Sequence, residues 1–211
     1  MNSVLLRSLP FSHPERLVKI VANNRGVGAQ DIGFSVPELD DLRTRAGVFE
    51  QVSAINTGDT NLTGAARPQR HQVAVVSPNY FSMLGASAHI GRVFGPSDEV
   101  PGFAEAAVIS DSLWASGFGR DPGILGRKLQ LDNDPYTIVG VLPPGFRHPG
   151  TTVTDVEIWV TAGFKADPYG ALAMEHLNRR GQNTGCSFAR SLQSSGPRIR
   201  RSEIKSEDLK R

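Results

Sequence analysis

Pairs of acidic side chains are the first candidates for chemistry in this sequence, because two carboxylates that meet in space can divide acid and base roles in a hydrolysis. Each close pair also has a structural explanation, as part of a solvated helix face, a loop or a hairpin turn. The DNDP segment that holds Asp132 and Asp134 is too short for a calcium loop, because the later glycine and the distal glutamate are absent. The sequence does not favour any of these pairs as a catalytic pair. The three pairs are Asp40 with Asp41, Asp98 with Glu99, and Asp132 with Asp134.

The histidines and the single cysteine give no second route to catalysis. No two histidines stand at the helical spacing that would place both on one metal ion. Cys186 is the only cysteine, so no internal disulfide can form, and an inert thiol is expected rather than a nucleophile. Neither a nucleophile elbow nor a phosphate-binding loop occurs. We therefore expect no enzyme and no catalytic, cofactor-binding or metal-binding residue; the histidines are His13, His71, His89, His148 and His176.

Charge is concentrated at the C-terminus. The formal net charge is +2, but residues 198–211 hold six basic and three acidic side chains, which leaves residues 1–197 near neutral. A nucleic-acid surface across the fold is not expected. The basic tail is expected to be a solvated terminus, with contact to anionic lipid or nucleic acid as the alternative. No apolar run reaches the roughly 18 residues of a membrane-spanning helix, and no secretion signal is recognised. The Asn61-Leu62-Thr63 sequon is too short a pattern to predict glycosylation.

Two units of strand, cap and helix would have to position any functional surface. Residues 69–76 alternate as a strand, after which Ser77 is predicted to cap a short helix that Gly85 ends. The next strand is followed by Ser110, which is predicted to cap a second helix that ends at Gly117. Two such units in tandem indicate an α+β fold.

The same signals predict further elements. Residues 35–45 carry a capping-box pattern and predict an amphipathic helix. The turn formers in residues 56–67 predict a loop, and the DNDP sequence at residues 132–135 predicts a hairpin turn between two strands. The other predicted strands cover residues 17–21, 48–55, 106–109, 128–131, 136–141 and 156–161.

Three blocks of the sequence resemble a known family. They are VSPNYFSMLG at residues 76–85, IGRVF at residues 90–94 and AVISDSLWASGFGRDPGILGRKLQLDNDPYTIVGVLPPGF at residues 107–146. Together with Trp159 in the strand that follows, they are similar to the MacB-like periplasmic core domain of FtsX-type ABC transporter permeases, including the large permeases of acidobacteria. The resemblance covers about residues 2–162. It implies an α+β fold, with small mixed sheets and short capped helices packed on one face.

The resemblance also implies a division of the chain. Residues 1–16 would be the remnant of an exit from a missing N-terminal transmembrane helix, and residues 17–165 the periplasmic core domain. Residues 166–211 would be a degenerate tail, which we expect to be disordered. The family continues into further membrane helices, so the sequence is expected to be a truncated product or a fragment that lacks signal and transmembrane segments of its own.

The implied function is mechanical. A domain of this family would lie on the extracytoplasmic, periplasmic face of the cell membrane and couple the cycle of a partner ABC ATPase subunit to efflux or envelope events. A permease dimer and envelope proteins would be further partners, and nucleic acid would not. Four large aromatic side chains are expected to act as packing anchors rather than as a site, namely Tyr80, Phe81, Trp114 and Trp159.

Two other classes of function stay open. A stand-alone extracytoplasmic ligand- or protein-binding module would present a concave apolar pocket with converging polar groups, between the two strand-cap-helix units. A hydrolase would need a tight carboxylate pair, or a serine in contact with a histidine, in the folded chain.

Overall fold

Strands dominate the part of the chain for which a computed structural model describes the structure, which is residues 16–20, 22–24, 29–32, 42, 49–63, 69–99, 106–132, 134–148, 156–161 and 186–191. The predicted α+β class, a mixed sheet with short capped helices, is confirmed. In chain order the elements are β1 Leu17–Ile20, β2 Ala22–Asn24, β3 Ala29–Ile32, β4 Phe49–Thr63, β5 Gln69–Val76, α1 Tyr80–Leu84, β6 Ile90–Gly91, a 3₁₀ turn Pro96–Glu99, β7 Ala106–Ile109, α2 Asp111–Phe118, a 3₁₀ turn Pro122–Ile124, β8 Lys128–Leu131, β9 Asp134–Val141, β10 Ile158–Thr161 and β11 Cys186–Ser191.

Nine of these strands form one mixed sheet, in which six strands close into a ring. The sheet runs in the order β1-β11-β4-β5-β10-β7-β9-β6, and β8 pairs with both β4 and β9. The ring is therefore β4-β5-β10-β7-β9-β8, and it closes where Leu62 of β4 pairs with Leu131 of β8. The β10–β5 and β7–β9 pairs are parallel and the other pairs in the ring are antiparallel. β2 and β3 form a separate two-stranded sheet.

Successive side chains of the ring strands alternate between two hydrophobic clusters, as a two-residue strand period requires. In β10, for example, Trp159 belongs to one cluster while Ile158 and Val160 belong to the other. The helix-side cluster, to which α1 contributes, is Ile55, Ala74, Val76, Tyr80, Phe81, Met83, Leu84, Phe94, Ala106, Val108, Leu142, Val156 and Trp159. The ring cluster, on which Leu62 also packs, is Val73, Ala107, Ile109, Leu113, Trp114, Ile124, Leu129, Leu131, Tyr136, Ile138, Val141, Ile158 and Val160.

β4 is longer than the sequence predicts. Residues 56–63, predicted as part of a loop, continue the strand that was expected to end at Ile55. They pair with β5 from Ile55 opposite Val76 to Leu62 opposite Gln69, and β8 pairs on their other side. β5 pairs along this segment and β8 pairs with its last two residues, so its Asn, Gly and Asp residues do not form the turns that their local preferences favour.

The start of α1 also differs from the prediction. The predicted cap at Ser77 is wrong, because the helix begins at Tyr80, and Asn79, at the N-cap position, makes no capping side-chain bond. The Ser77 hydroxyl instead accepts a hydrogen bond from the backbone nitrogen of Ala54 at 3.0 Å, which ties the end of β5 to the middle of β4. The predicted terminator is confirmed: Gly85 has a left-handed φ of 68°.

α2 has the predicted start and a different end. The Ser110 hydroxyl accepts from the backbone nitrogen of Leu113 at 3.1 Å, as an N-cap should. The predicted terminator Gly117 is wrong, because the helix continues through Phe118 and ends at Gly119, whose φ is 58°. Both glycines offered the same local signal, and only Gly119 takes the left-handed conformation.

β11 lies within the segment that the sequence analysis assigned to a disordered tail. Residues 186–191 form a strand that pairs with β1 on one side and β4 on the other, so the expectation of disorder is wrong for these six residues. The proposed boundaries at residues 16 and 165 stay predictions. The helix predicted at residues 35–45 lies outside the described residues except for Leu42, which is helical and buried.

Candidate functional site

Asp98, a member of one candidate acid pair, forms a structural brace. Its carboxylate accepts from both terminal nitrogens of Arg92, at 2.7 and 2.9 Å, and from the backbone nitrogen of Gly95 at 2.8 Å. Burial raises the pKa of Asp98, but the hydrogen bonds from Arg92 and Gly95 outweigh burial and hold it below the usual range. A carboxylate engaged in this way is held as an anion and fixes the turn after β6.

Asp132 performs a similar task where the ring closes. One carboxylate oxygen accepts from the Thr60 hydroxyl at 2.8 Å, and the other accepts from the backbone and side-chain nitrogens of Asn61 at 3.1 and 2.8 Å. Burial raises the pKa of Asp132, and the hydrogen bonds from Thr60 and Asn61 lower it further than burial raises it. The hairpin between β8 and β9 is thereby fastened to β4. The third pair, Asp40 with Asp41, lies outside the described residues.

An open groove lies beside this closure. Its empty space is about 390 Å³, which includes space open to solvent. Asp59 accepts from Arg70 and Gln72, and Asp132 is engaged as described above, so two of the three acids at the groove already have partners. The groove does not lie where the sequence analysis placed a pocket, between the two strand-cap-helix units. Its lining residues are Asp59, Thr60, Val73, Val75, Leu131, Asp132, Asp134, Tyr136 and Val160.

Two described histidines have defined side-chain partners. The Nδ1 atom of His71 lies 2.6 Å from Oε2 of Glu157, and its buried Nε2 atom has no hydrogen-bond partner among the described residues. His148 accepts from the Tyr80 hydroxyl. His13 and His176 lie outside the described residues. Within the described ranges, no group of three or more His, Cys, Asp or Glu residues could hold a metal ion.

The four aromatic residues predicted as packing anchors are all buried. Tyr80, Phe81 and Trp159 belong to the helix-side cluster, and Trp114 belongs to the ring cluster. Phe81 is central, because its ring centroid lies 5.3 Å from that of Tyr80 and 6.1 Å from that of Trp159, both in edge-to-face geometry. The Nε1 atom of Trp159 is buried and has no hydrogen-bond partner among the described residues.

Arg120 is a structural residue that the sequence analysis missed. Its guanidinium group binds both oxygens of Asp111 at 2.7 Å and lies 5.3 Å from the ring centroid of Trp114. Trp114 in turn donates from Nε1 to the carbonyl of Asp121 at 2.9 Å. This set of contacts ties both ends of α2 to the turn that follows. A basic residue just after a helix-ending glycine was the available signal, but its partner nine positions earlier was not evident.

The pairing of β1 with β11 was not predicted from the sequence. Leu17, the first residue of β1, has Arg190 as its Cα partner, and Ile20 has Ser187. β11 also pairs with β4 from Cys186 opposite Ile55 to Ser191 opposite Phe49. The first and last strands of the sheet are therefore neighbours, and we call β1 and β11 the terminal strands.

Solved structures with the same fold come from transporters. The extracellular domain of the noncanonic ABC-type transporter YknZ from Gram-positive bacteria is similar with a TM-score of 0.60 and 16% identity, covering 84% of each chain. The periplasmic region of MacB from Actinobacillus actinomycetemcomitans also has a TM-score of 0.60, with 12% identity, covering 92% of this chain and 79% of that one. The protein thus has the fold of an extracytoplasmic domain of an ABC-type transporter.

The sequence itself identifies the family. The profile of the MacB-like periplasmic core domain matches residues 2–188, so the chain belongs to that family, as the motifs of the first subsection predicted. The match includes β1 to β10 and the first three residues of β11, and it therefore enters the segment that was predicted to be a disordered tail. A curated relative, the macrolide export ATP-binding/permease protein MacB of Burkholderia thailandensis, is 33% identical over 88 residues.

The relative is much larger than the matched part. The alignment covers 42% of this chain and 13% of the length of the Burkholderia protein. No helix in the described part of the chain is long and apolar enough to span a bilayer. The family membership therefore identifies the chain as an extracytoplasmic permease domain. It does not by itself assign the activity of a whole transporter.

Proposed function

We propose that this domain, as part of an ABC transporter permease, couples the ATP cycle of a partner ATPase subunit to efflux or to other events in the envelope. The observation that carries the proposal is the pairing of Leu17 with Arg190 in the terminal strands. Antiparallel Cα partners lie about 4.5–5.5 Å apart. Segments that precede β1 and follow β11 would thus leave the domain at one point, as two flanking membrane segments of a permease require.

The sheet offers a continuous path from this point into the domain. β11 pairs with β4, and β4 is a 15-residue strand that also pairs with β5 and β8 of the ring. Movement of the terminal strands would act on β4 directly. Because a packed interior deforms little, the ring would follow as a unit rather than absorb the displacement.

The polar groups of the domain support a mechanical role without chemistry. Asp98, Asp111 and Asp132 each hold one structural element against another. A domain that transmits movement needs such braces and needs no nucleophile. We propose accordingly that the domain acts at the extracytoplasmic face of the membrane, without catalysis and without nucleic acid, in a permease dimer that also contacts envelope proteins.

The alternative of a stand-alone binding module rests on the groove beside Asp132. Its lining includes buried apolar side chains such as Val73 and Val160, together with three acids. Hydrogen bonds already engage Asp59 and Asp132, which favours a structural role for this region. The family membership favours the permease domain over the module.

Energy transfer from the domain to the lipid surface tests the mechanical role. A full-length permease containing this domain is assembled with its ATPase partner in lipid nanodiscs that carry acceptor-labelled headgroups. A donor dye is placed on the exposed face of α1 by Ser82→Cys, in a Cys186→Ser background. We expect energy transfer to change when ATP binds, because the domain would move relative to the membrane.

The terminal strands are then disturbed at Lys19. Lys19→Pro removes a backbone N–H from β1 and should weaken its ladder with β11, while Lys19→Ala keeps that N–H and serves as the matched control. The proline variant should hydrolyse ATP with a reduced change in energy transfer. Unchanged energy transfer on ATP binding in the parent protein, or identical behaviour of the two variants, would contradict the proposal.

A further inference from the structure

The loop that follows β9 folds back over the helix-side cluster. Leu142 is fully buried in that cluster, and the ring of Phe146 lies 5.6 Å from that of Trp159 and 6.0 Å from that of Phe81, between centroids. Gly145 supplies a left-handed φ of 77° for the turn that brings Phe146 inward. We call residues 142–148 the return loop.

A partly buried hydrogen bond fastens the far end of the return loop. The hydroxyl of Tyr80, a fully buried residue of α1, lies within hydrogen-bond distance of Nδ1 of His148, and the two ring centroids are 5.9 Å apart. Burial raises the pKa of Tyr80, so the phenol keeps its proton and donates it. Nδ1 must then accept, which requires a neutral imidazole with its proton on Nε2.

The first terminal strand lies beside this contact. Leu17 packs against the helix-side cluster, and Lys19, two positions along β1, has its side chain on the same face. The phenol of Tyr80 from α1 and the ammonium of Lys19 from β1 both act on the His148 ring. Arg147 precedes His148 within the return loop itself.

We propose that the Tyr80–His148 hydrogen bond is an acid-sensitive latch, which holds the return loop against α1 and β1 and opens when His148 is protonated. Protonation places an N–H at Nδ1, so the Tyr80 O–H loses its acceptor, and the phenol oxygen can accept from Nδ1 only if its own hydrogen turns away inside the fully buried site of Tyr80. The new positive charge also repels Lys19. The loop end would leave α1, and the contact between the ring and the first terminal strand would loosen.

The charge environment sets the pH at which the latch would open. Burial, followed by the positive charge of Lys19, lowers the pKa of His148 to about 4. The latch is therefore closed near neutrality and opens only in acidic surroundings. This property goes beyond the proposed coupling role, since it would make the joint between β1 and the ring sensitive to the medium outside the membrane.

Nuclear magnetic resonance on the 211-residue chain tests the latch. The ring resonances of His148 and the amide-exchange protection of the return loop are followed from pH 7.5 to pH 3. We expect His148 to titrate near pH 4, with loop protection falling by up to about tenfold for each pH unit between about pH 6.5, the ordinary pKa of an exposed imidazole, and pH 4, and levelling off below that. His148→Gln supplies a neutral acceptor, and its loop should stay protected over the same range.

Two further variants separate the latch from general acid unfolding. Tyr80→Phe removes the donor to the neutral ring, and Lys19→Gln removes the nearby charge, so each should raise the His148 midpoint. Lys128→Gln on β8, which donates to Thr137 instead, should leave it unchanged. A His148 midpoint near 6.5 in the parent chain, or the same loss of loop protection in His148→Gln, would overturn the proposal.

Discussion

Gly140 of β9 lies directly against the backbone of Arg92, so that a Cβ atom at position 140 would sit 2.1 Å from the carbonyl oxygen of Arg92. The same two segments are joined by a hydrogen bond from the Arg92 backbone nitrogen to the Val139 carbonyl at 2.9 Å. The close approach is what lets β6 and the turn after it lie on β9. A side chain at position 140 would separate them.

Gly140→Ala should therefore destabilise the domain strongly. The colliding atom is backbone and cannot rotate away, so we expect a loss of about 3 kcal/mol in the free energy of unfolding. Urea unfolding followed by tryptophan fluorescence measures it. Gly95→Ala is the matched control, because a Cβ there would meet nothing within 4 Å, and it should be neutral or slightly stabilising. Equal stability of the two variants would contradict the close approach.

Ser110→Ala should shorten the start of α2. The backbone nitrogen of Leu113 would lose its acceptor at 3.1 Å, at a cost of about 1 kcal/mol. Ser82→Ala on the exposed face of α1 removes only a hydroxyl that donates to the Asn79 carbonyl, and it should cost less than about 0.5 kcal/mol. Thermal unfolding by circular dichroism compares the pair. A larger effect at Ser82 than at Ser110 would argue against the cap.

Asp98→Asn should weaken the brace on the turn after β6. The amide presents a donor where Arg92 needs an acceptor, and we expect a loss of about 1–3 kcal/mol. Ser97→Ala, at the neighbouring exposed position, should change stability by less than about 0.5 kcal/mol. Chemical denaturation at pH 7 gives both values. A neutral effect of Asp98→Asn would mean that the buried carboxylate is dispensable.

The same brace should give the domain a dependence on pH. The pKa of Asp98 is lower in the folded chain than in the unfolded one, so the unfolded state takes up the proton first. The stabilisation is fully present above the unfolded pKa of about 4 and is lost as pH falls through the folded value. Stability measured between pH 6 and pH 2.5 should fall less steeply in Asp98→Asn than in the parent chain. Parallel curves would refute the assignment.

Phe81→Ala should be the most damaging of these core substitutions. Phe81 is fully buried and its ring lies within about 6 Å of four other aromatic rings, namely those of Tyr80, Phe94, Phe146 and Trp159. We expect a loss of about 3–5 kcal/mol. Leu125→Ala, at a residue 42% exposed, removes a side chain that is partly in solvent, and it should cost less than about 1 kcal/mol. Calorimetric unfolding of both variants checks the difference, and similar values would place Phe81 outside the core.

The sequence predicted those helix ends that depend only on neighbouring residues. The cap at Ser110 and the left-handed end at Gly85 depend on a few neighbouring residues, and both were predicted correctly. Ser77 offered the same capping signal as Ser110, but its hydroxyl accepts a hydrogen bond from the backbone nitrogen of Ala54 in β4. The choice between a cap and a cross-strand bond is made by packing between distant segments, which single residues do not encode.

The ring and the terminal strands could not be predicted for the same reason. β10 enters between β5 and β7, although about 80 residues separate it from β5 along the chain. Residues 56–63 carry turn-forming side chains, but they pair as a strand with β5 and, at Leu62 and Thr63, with β8. The pairing of β1 with β11 was not predicted either, since it joins the first and the last described strands of the chain.

The closed ring limits the strands at which another protein could add to the sheet. Six strands paired in a closed circuit leave none of them as an outermost strand, so in the described part of this sheet only β1 and β6 are outermost. β6 is two residues long, and β1 carries the exposed Lys19. Short edges and a lysine on an edge are features that discourage a foreign strand from adding to a sheet. We expect these features to discourage strand addition at β1, the strand through which the proposed coupling would act.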